Sequence, residues 1–180
     1  MDNINILIVE DEVIVAKDIE LTLANLGYSV SGSVSSGKDA IDHVKNHRPD
    51  LVLMDIMLEG KLDGIETANI IHQQFSVPVI FLTAYSNENT LERAKTAKPY
   101  GYILKPFQET DLYTSIEIAI YKYNIERKLI EETENALAAI IGSTEVLLED
   151  CNPKYDQEIL RRIESIRNAV LVIKETIEKI

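Results

Sequence analysis

Apolar runs alternate with amphipathic segments along the first two thirds of the chain. Residues 6–9 and 51–54 are continuous apolar runs, which are typical of buried strands. Residues 13–26 have the spacing of an amphipathic helix and are followed by Gly27, a residue favoured just past a helix C-terminus. Strands that alternate with helices in this way indicate a parallel sheet. We therefore predict an α/β fold, a doubly wound five-stranded parallel sheet.

The same pattern gives the bounds of the predicted elements. Pro49 cannot continue the second helix, and the fully apolar third strand is expected at the centre of the sheet. The predicted strands are 4–9, 28–34, 51–54, 77–82 and 101–104, and the predicted helices are 13–26, 38–46, 65–74, 87–97 and one that begins near residue 108.

The last predicted helix continues into a tail. Residues 107–141 contain neither Gly nor Pro, and the three- and four-residue steps of a coiled-coil seam run through them. The frame is Tyr113, Ile116, Ile120, Tyr123, Arg127, Ile130, Glu134, Leu137, Ile141, Thr144 and Leu148. A turn is predicted at 150–153, and a cleaner apolar frame follows over 159–180. We predict a first domain at 1–124 and an antiparallel helical hairpin at 125–180.

Two helices rarely bury enough surface by themselves. A four-helix bundle made by two chains, a homodimer through residues 125–180, would cover both apolar stripes. The alternative is a monomeric hairpin that folds back on the first domain.

Charge and composition narrow the class of protein. The net charge of −12 argues against a nucleic-acid partner, because phosphate backbones are bound mainly by Lys and Arg. Cys151 is the only cysteine, so no intrachain disulfide is possible. No apolar run approaches the roughly 20 residues that span a bilayer, and the start has no signal-peptide pattern. A cytoplasmic protein with no membrane contact is expected.

Polar side chains follow four of the predicted strands. Glu10 and Asp11 follow the first strand, Asp55 the third, Thr83 the fourth and Lys105 the fifth. The carboxyl ends of parallel strands share one edge of a sheet, where open α/β folds bind ligands. Each residue alone has an ordinary explanation, such as a helix cap or a surface charge. Their conjunction predicts a common site.

The chemistry of these groups suits a phosphoryl acceptor. An Asp carboxylate can attack phosphorus and form an acyl phosphate. Mg²⁺ prefers oxygen ligands and would reduce the repulsion between two anions, with Asp11, Asp55 and Glu10 as its carboxylates. Lys105 supplies a second positive charge and Thr83 a hydroxyl donor. Positioning and neutralisation of charge account for most catalysis of phosphoryl transfer.

Across about residues 3–124 the sequence resembles the receiver domain of two-component response regulators. The resemblance rests on the acidic pair after the first strand, the Asp after the third, the Thr after the fourth and Lys105-Pro106. It implies a flavodoxin-like receiver fold, a sensor histidine kinase as phosphoryl donor, Mg²⁺ as cofactor and a cis Lys105–Pro106 peptide. It also implies that Asp55 is phosphorylated and that Glu10, Asp11 and the backbone carbonyl of Met57 bind the metal. Thr83 and Tyr102 would be the switch residues, and Lys105 would be the lysine that is typical of the family's site.

The tail has a second resemblance. Residues 136–148 resemble the first helix of a histidine-kinase dimerisation domain, and that pattern puts Glu131 where the phosphorylated histidine belongs. All three histidines, at 43, 47 and 72, lie in the first domain. We therefore interpret the tail as a degenerate dimerisation module and predict no independent enzyme activity.

Other classes of protein fit the sequence less well. A transcriptional or RNA-binding regulator would carry a basic output, but residues 126–180 contain twelve acidic and eight basic residues. A phosphorelay intermediate would need the absent histidine. A haloacid-dehalogenase-like phosphatase would need a second acid where Met57 stands. The sequence indicates output through protein–protein interaction or dimer rearrangement.

Overall fold

The computed structural model describes residues 4–84, 88–150 and 157–177. The chain divides into two compact units, Met1–Tyr123 and Asn124–Ile180. Helix α5, defined below, contains the boundary between them. Each unit is therefore described by itself.

In the first unit, residues 4–84 and 88–123 form five strands, four helices and the first part of a fifth helix. The strands are all parallel and lie in the order β2-β1-β3-β4-β5. The predicted fold class is confirmed, and β3 is the central strand with all five residues buried. The elements are β1 Asn5–Val9, α1 Val13–Asn25, β2 Ser29–Val34, α2 Gly37–His47, β3 Leu51–Asp55, α3 Gly64–Phe75, β4 Val79–Ala84, α4 Glu88–Thr96, β5 Gly101–Lys105, α5 Glu109–Asp150 and α6 Gln157–Ile177.

Local chemistry sets several boundaries. Gly27 has a φ of 86°, a left-handed conformation that glycine adopts without a Cβ penalty, and it follows α1 as predicted. Strand β4 begins at Val79 and not at the predicted residue 77. Pro78 has no N–H to donate to a ladder, although its carbonyl accepts a hydrogen bond from the Val52 N–H at 3.0 Å.

The sheet is buried on both faces. Alternate residues of β1 point to opposite sides, so Leu7 belongs to one core cluster and Ile6 and Ile8 to the other. The first cluster packs α2 and α3 against the sheet, and the second packs α1 and the start of α5. The apolar strands therefore form the interior, and only their ends can present polar groups.

The second unit is a helical hairpin. Among the side chains described in this unit, the buried ones are Leu137 and Thr144 on α5 and Ile163 and Val170 on α6. Leu137 lies thirteen residues before the end of α5, and Val170 lies thirteen residues after the start of α6. Likewise, Thr144 lies six residues before the end of α5, and Ile163 lies six residues after the start of α6. This matching indicates two antiparallel helices packed through these residues. The Thr144 hydroxyl is satisfied by the Ile141 carbonyl at 2.7 Å.

The predicted seam is only partly correct. Tyr113 is 48% exposed, and Arg127 and Glu134 are also exposed. A straight helix drifts against a strict seven-residue repeat, so one frame does not stay on one face over 42 residues. Of the predicted turn at 150–153, residues 151–153 lie outside the described residues.

Among the described residues, no helix combines the length and apolar character needed to cross a bilayer.

Candidate functional site

The register of the sheet brings the predicted site residues to one edge. Glu10 directly follows β1 and Asp55 is the last residue of β3. Val9 lies opposite Met54, and Asp55 lies opposite Leu82. On the other side of β4, Lys105 pairs in register with Ala84.

Lys105 connects the ends of three strands. Its Nζ lies 2.6 Å from Glu10 Oε2 and 2.6 Å from Asp55 Oδ2. The Glu10 side chain is fully buried, and those of Asp55 and Lys105 are only 9% and 16% exposed. Two ion pairs removed from water are strong only when well matched in geometry. Here the single ammonium faces both carboxylates at hydrogen-bonding distance.

Backbone N–H groups orient the remaining carboxylate oxygens. The Met57 N–H donates to Asp55 Oδ1 at 2.8 Å, and the Glu59 N–H donates to Asp11 Oδ2 at 3.1 Å. The Glu12 N–H donates to Glu10 Oε1 at 3.3 Å. The acidic side chains are thus held by the loops that follow β1 and β3.

The acidic cluster has the chemistry of a magnesium site. One carboxylate oxygen from each of Glu10, Asp11 and Asp55 lies within 4.8 Å of the others. Carboxylate oxygens are ligands that Mg²⁺ prefers, and it commonly takes only one or two from the protein and completes its shell with water. The residues present therefore fit the predicted ion. For Met57 the observed contact is its N–H to Asp55, and its carbonyl remains a predicted ligand.

Burial and neighbouring charge act against each other in this pocket. Burial raises the pKa of Glu10 above 4.5, and the hydrogen bond from Lys105 only partly offsets this. Burial also acts to lower the pKa of Lys105, but its hydrogen bonds to Asp55 and Glu10 outweigh it, so the pKa is raised from 10.5. Lys105 is therefore a permanent cation near neutral pH.

Thr83 lies on β4 and Tyr102 on β5, and the contacts described for them are other than the Lys105 ion pairs. Thr83 Oγ1 donates to the neighbouring Ala84 carbonyl at 3.2 Å. Tyr102 packs on Phe81 with ring centroids 5.9 Å apart. Its hydroxyl is buried and has no hydrogen-bond partner within the described ranges, and burial raises its pKa above 10.0.

Sequence reasoning missed the support beneath Asp55. A Cβ on Gly64 would lie 1.9 Å from the Asp55 carbonyl oxygen, so only glycine fits there. The preceding residue, Asp63, forms a capping box with Glu66 and an ion pair with Arg93 of α4. The capping box could have been found from the spacing of Asp63 and Glu66. The close approach of Gly64 has no signal in one sequence.

Exposed apolar side chains flank the acidic residues. Val13 and Ile14 open α1 and are 80% and 86% exposed, and Met57, two residues after Asp55, is 67% exposed. A cavity of about 500 Å³ opens beside Glu10, between α1 and the end of β2, where Lys17 and Ser33 line it. Large exposed apolar side chains beside a polar site are typical of surfaces that bind another protein.

The parallel sheet, the acidic cluster and the Lys105 ion pairs define a receiver domain. The family model described as "Response regulator receiver domain" matches residues 6–117. The chain belongs to this family.

Similar proteins support this family assignment. The chain is 33% identical over 156 residues to the transcriptional regulatory protein PdtaR of Mycobacterium tuberculosis, an alignment that covers 78% of this chain and 76% of that protein. It is 32% identical to the uncharacterized transcriptional regulatory protein YrkP of Bacillus subtilis, over 92% of this chain and 69% of that protein. A solved receiver domain of a modulated diguanylate cyclase from Desulfovibrio desulfuricans G20 matches with 41% identity and a TM-score of 0.67, covering 69% of this chain and 99% of that one.

The family fixes the broad function. The protein is a response regulator of two-component signalling, and its receiver domain implies interaction with a histidine kinase.

Proposed function

We propose that the protein accepts a phosphoryl group on Asp55 from a phosphohistidine of a sensor histidine kinase. The observation that carries this proposal is the Lys105 ammonium at 2.6 Å from both Asp55 and Glu10. That arrangement supplies a buried nucleophile together with a fixed positive charge beside it. Mg²⁺ held by Glu10, Asp11 and Asp55, with the Met57 carbonyl, is part of the proposal.

The transfer is a displacement at phosphorus. An Asp55 oxygen forms the new P–O bond, the P–N bond of the phosphohistidine breaks, and its electron pair stays on the imidazole, which takes a proton from water. Mg²⁺, when bound, neutralises charge on the phosphoryl oxygens. In this proposal Lys105 pairs with a phosphoryl oxygen, and the Met57 N–H, which donates to Asp55 Oδ1, keeps that oxygen oriented.

The proposed donor docks on the apolar surface formed by Val13, Ile14 and Met57. These side chains are more than half exposed and flank the acidic residues. A protein partner would cover them and exclude water from Asp55 at the moment of transfer. This exclusion would also favour attack by Asp55 over hydrolysis of the donor.

The proposed switch uses Thr83 and Tyr102. An acyl phosphate adds about −1.5 to −2 charge and offers acceptors to a hydroxyl. The Thr83 hydroxyl now donates only to the Ala84 carbonyl at 3.2 Å, a weak bond that a charged acceptor would replace. The Tyr102 hydroxyl, which is buried without a hydrogen-bond partner among the described residues, would then move together with Thr83.

The proposed output is protein–protein interaction or dimer rearrangement of the hairpin. We interpret the hairpin as a histidine-kinase-like dimerisation module that lacks the phosphorylated histidine. A second candidate is a nucleic-acid output, which is favoured by the names of the transcriptional regulators PdtaR and YrkP. The excess of acidic residues over 126–180 supports the first. Electrophoretic mobility assays with total RNA and genomic DNA fragments separate the two.

The test of phosphoryl acceptance is uptake from acetyl phosphate with Mg²⁺, measured by intact-protein mass. Wild type is expected to gain one phosphoryl group and Asp55→Asn none. Asp42→Asn, on the exposed side of α2, is the matched control and is expected to behave as wild type. Uptake by Asp55→Asn would refute Asp55 as the acceptor.

A further inference from the structure

Large apolar side chains of the hairpin remain exposed after its two helices have packed. On α5 they include Ile140 and Leu147, which are 41% and 52% exposed. On α6 they include Ile166 and Ile173, which are 52% and 48% exposed. Each pair is separated by seven residues, the repeat of a helix that packs against another helix.

These four side chains lie on one side of the hairpin. At about 100° per residue, Ile140 and Leu147 lie ~50–70° from the direction of the buried residues of α5. Ile166 and Ile173 lie ~50–70° from the buried residues of α6, in the same rotational sense about their helix. Because the helices are antiparallel, equal offsets in the same sense place both pairs on one face.

The two helices also contribute at the same level of the hairpin. Ile140 lies ten residues before the end of α5, and Ile166 lies nine residues after the start of α6. They therefore form one layer of a continuous patch, which we call the dimer patch: Ile140, Leu147, Ile166 and Ile173.

We propose that a second copy of this chain covers the dimer patch, so that α5 of one protomer lies across from α6 of its partner. The charges of the two helices are complementary. Residues 124–150 carry seven acidic and two basic residues, whereas residues 157–177 carry three acidic and four basic residues. If the two-fold axis of the dimer runs parallel to the helices, the dimer patch of one protomer packs against that of its partner. The acidic α5 then lies opposite the partner's more basic α6.

The charges also disfavour the other arrangement. Packing α5 against the partner's α5 would set two strongly acidic segments side by side, which costs free energy through repulsion. The crossed arrangement gives a four-helix bundle with Leu137, Thr144, Ile163 and Val170 inside each hairpin and the dimer patch between the hairpins. This proposal goes beyond phosphoryl acceptance, because none of its contacts involves Asp55.

The test is the molar mass of the full-length protein by size-exclusion chromatography with light scattering. Wild type is expected to have the mass of two chains, and Ile173→Asp the mass of one. The matched control is Val172→Asp, since Val172 is the adjacent residue, is 63% exposed and points away from the patch. It is expected to stay at two chains.

Additional variants test the other helix of the dimer patch and show whether the variants still fold. Ile140→Asp, on the other helix of the same patch, is expected to give one chain, and Ile166→Ser to raise the dimer dissociation constant at least tenfold. Far-UV circular dichroism is expected to retain helix in all of them. Asp55→Asn is expected to remain at two chains, so failure of the phosphoryl proposal leaves this one standing. A monomeric wild type, or an Ile173→Asp variant that matches Val172→Asp, would overturn the proposal.

Discussion

The Lys105 ammonium lies 2.6 Å from Asp55 Oδ2, and Glu10 Oε2 is at the same distance on its other side. One cation therefore links the carboxyl ends of β1, β3 and β5. Its positive charge offsets part of the negative charge of the two carboxylates, and this affects the binding of a metal ion and of a phosphoryl group.

Lys105→Ala is expected to separate metal binding from phosphoryl acceptance. Removing the ammonium leaves the pocket more negative, so Mg²⁺ should bind about tenfold more tightly, ~1.4 kcal/mol, by isothermal titration calorimetry. Uptake from acetyl phosphate should fall roughly a hundredfold, because a fixed charge beside the transferred group is lost. Lys128→Ala, an exposed lysine paired with Glu132 in the tail, serves as the control. Normal uptake by Lys105→Ala would show that this amine has no part in the transfer.

Glu10→Gln is expected to change how stability depends on pH. The raised pKa of Glu10 means that the folded protein holds this proton more tightly than the unfolded chain. The stabilising contribution is therefore complete below about pH 4.5 and is lost as pH rises through the folded pKa. Without Mg²⁺, Glu10→Gln should unfold at a higher temperature than wild type at pH 7, and the difference should shrink toward pH 4.5.

Mg²⁺ gives the complementary measurement for Glu10. An ion that binds only the folded protein raises its melting temperature by mass action. Wild type should gain stability as Mg²⁺ is added at pH 7, and Glu10→Gln should gain less. Glu92→Gln, at an exposed surface pair, should follow wild type in both experiments. A less stable Glu10→Gln at pH 7 without Mg²⁺ would contradict this account.

Gly64→Ala is expected to disturb Asp55 through the backbone. The new Cβ would meet the Asp55 carbonyl oxygen at 1.9 Å and the Ile56 Cα at 3.0 Å, and neither atom can rotate away. We expect a loss of ~2 kcal/mol in urea unfolding and slower phosphoryl uptake. Gly142→Ala, where a Cβ meets nothing within 4 Å in the interior of α5, should instead stabilise by about 0.5–1 kcal/mol. Equal effects at the two glycines would be inconsistent with this geometry.

Asp63→Ala is expected to cost more stability than Arg93→Ala. Asp63 Oδ1 accepts from the Glu66 N–H at 2.8 Å as the N-cap of α3, while its Oδ2 pairs with Arg93. Losing the cap costs ~1 kcal/mol, whereas an ion pair with an exposed arginine is screened by water and contributes less. Urea unfolding of both variants and of the double variant measures the difference. A larger loss for Arg93→Ala would reverse the assignment.

Several features of the fold could be predicted from local sequence alone. Apolar runs gave the strands, and Gly27 gave the end of α1, because these signals depend on a residue and its near neighbours. Strand β4 begins two residues later than predicted. The apolar side chain of Val77 suggests a strand, but Pro78, which follows it, has no N–H for the sheet, and the strand begins only at Val79. The seam of α5 was misread in part, because periodicity does not indicate which face of a long helix another element covers.

The sequence by itself determined which chemical groups stand at the ends of the strands, because burial of the apolar runs leaves polar residues only at their ends. Tertiary structure alone decided that Lys105 pairs with Glu10 and Asp55 together, that Thr83 donates to Ala84 in this state, and that Gly64 lies against Asp55. Lys105 lies 95 residues from Glu10 and 50 from Asp55 in the chain, so these two distances depend on strand register. The Gly64 and Thr83 contacts join nearer residues, and they depend on the loop path and on the side-chain rotamer. The same reason explains why only the packed hairpin revealed which of its isoleucines stay exposed.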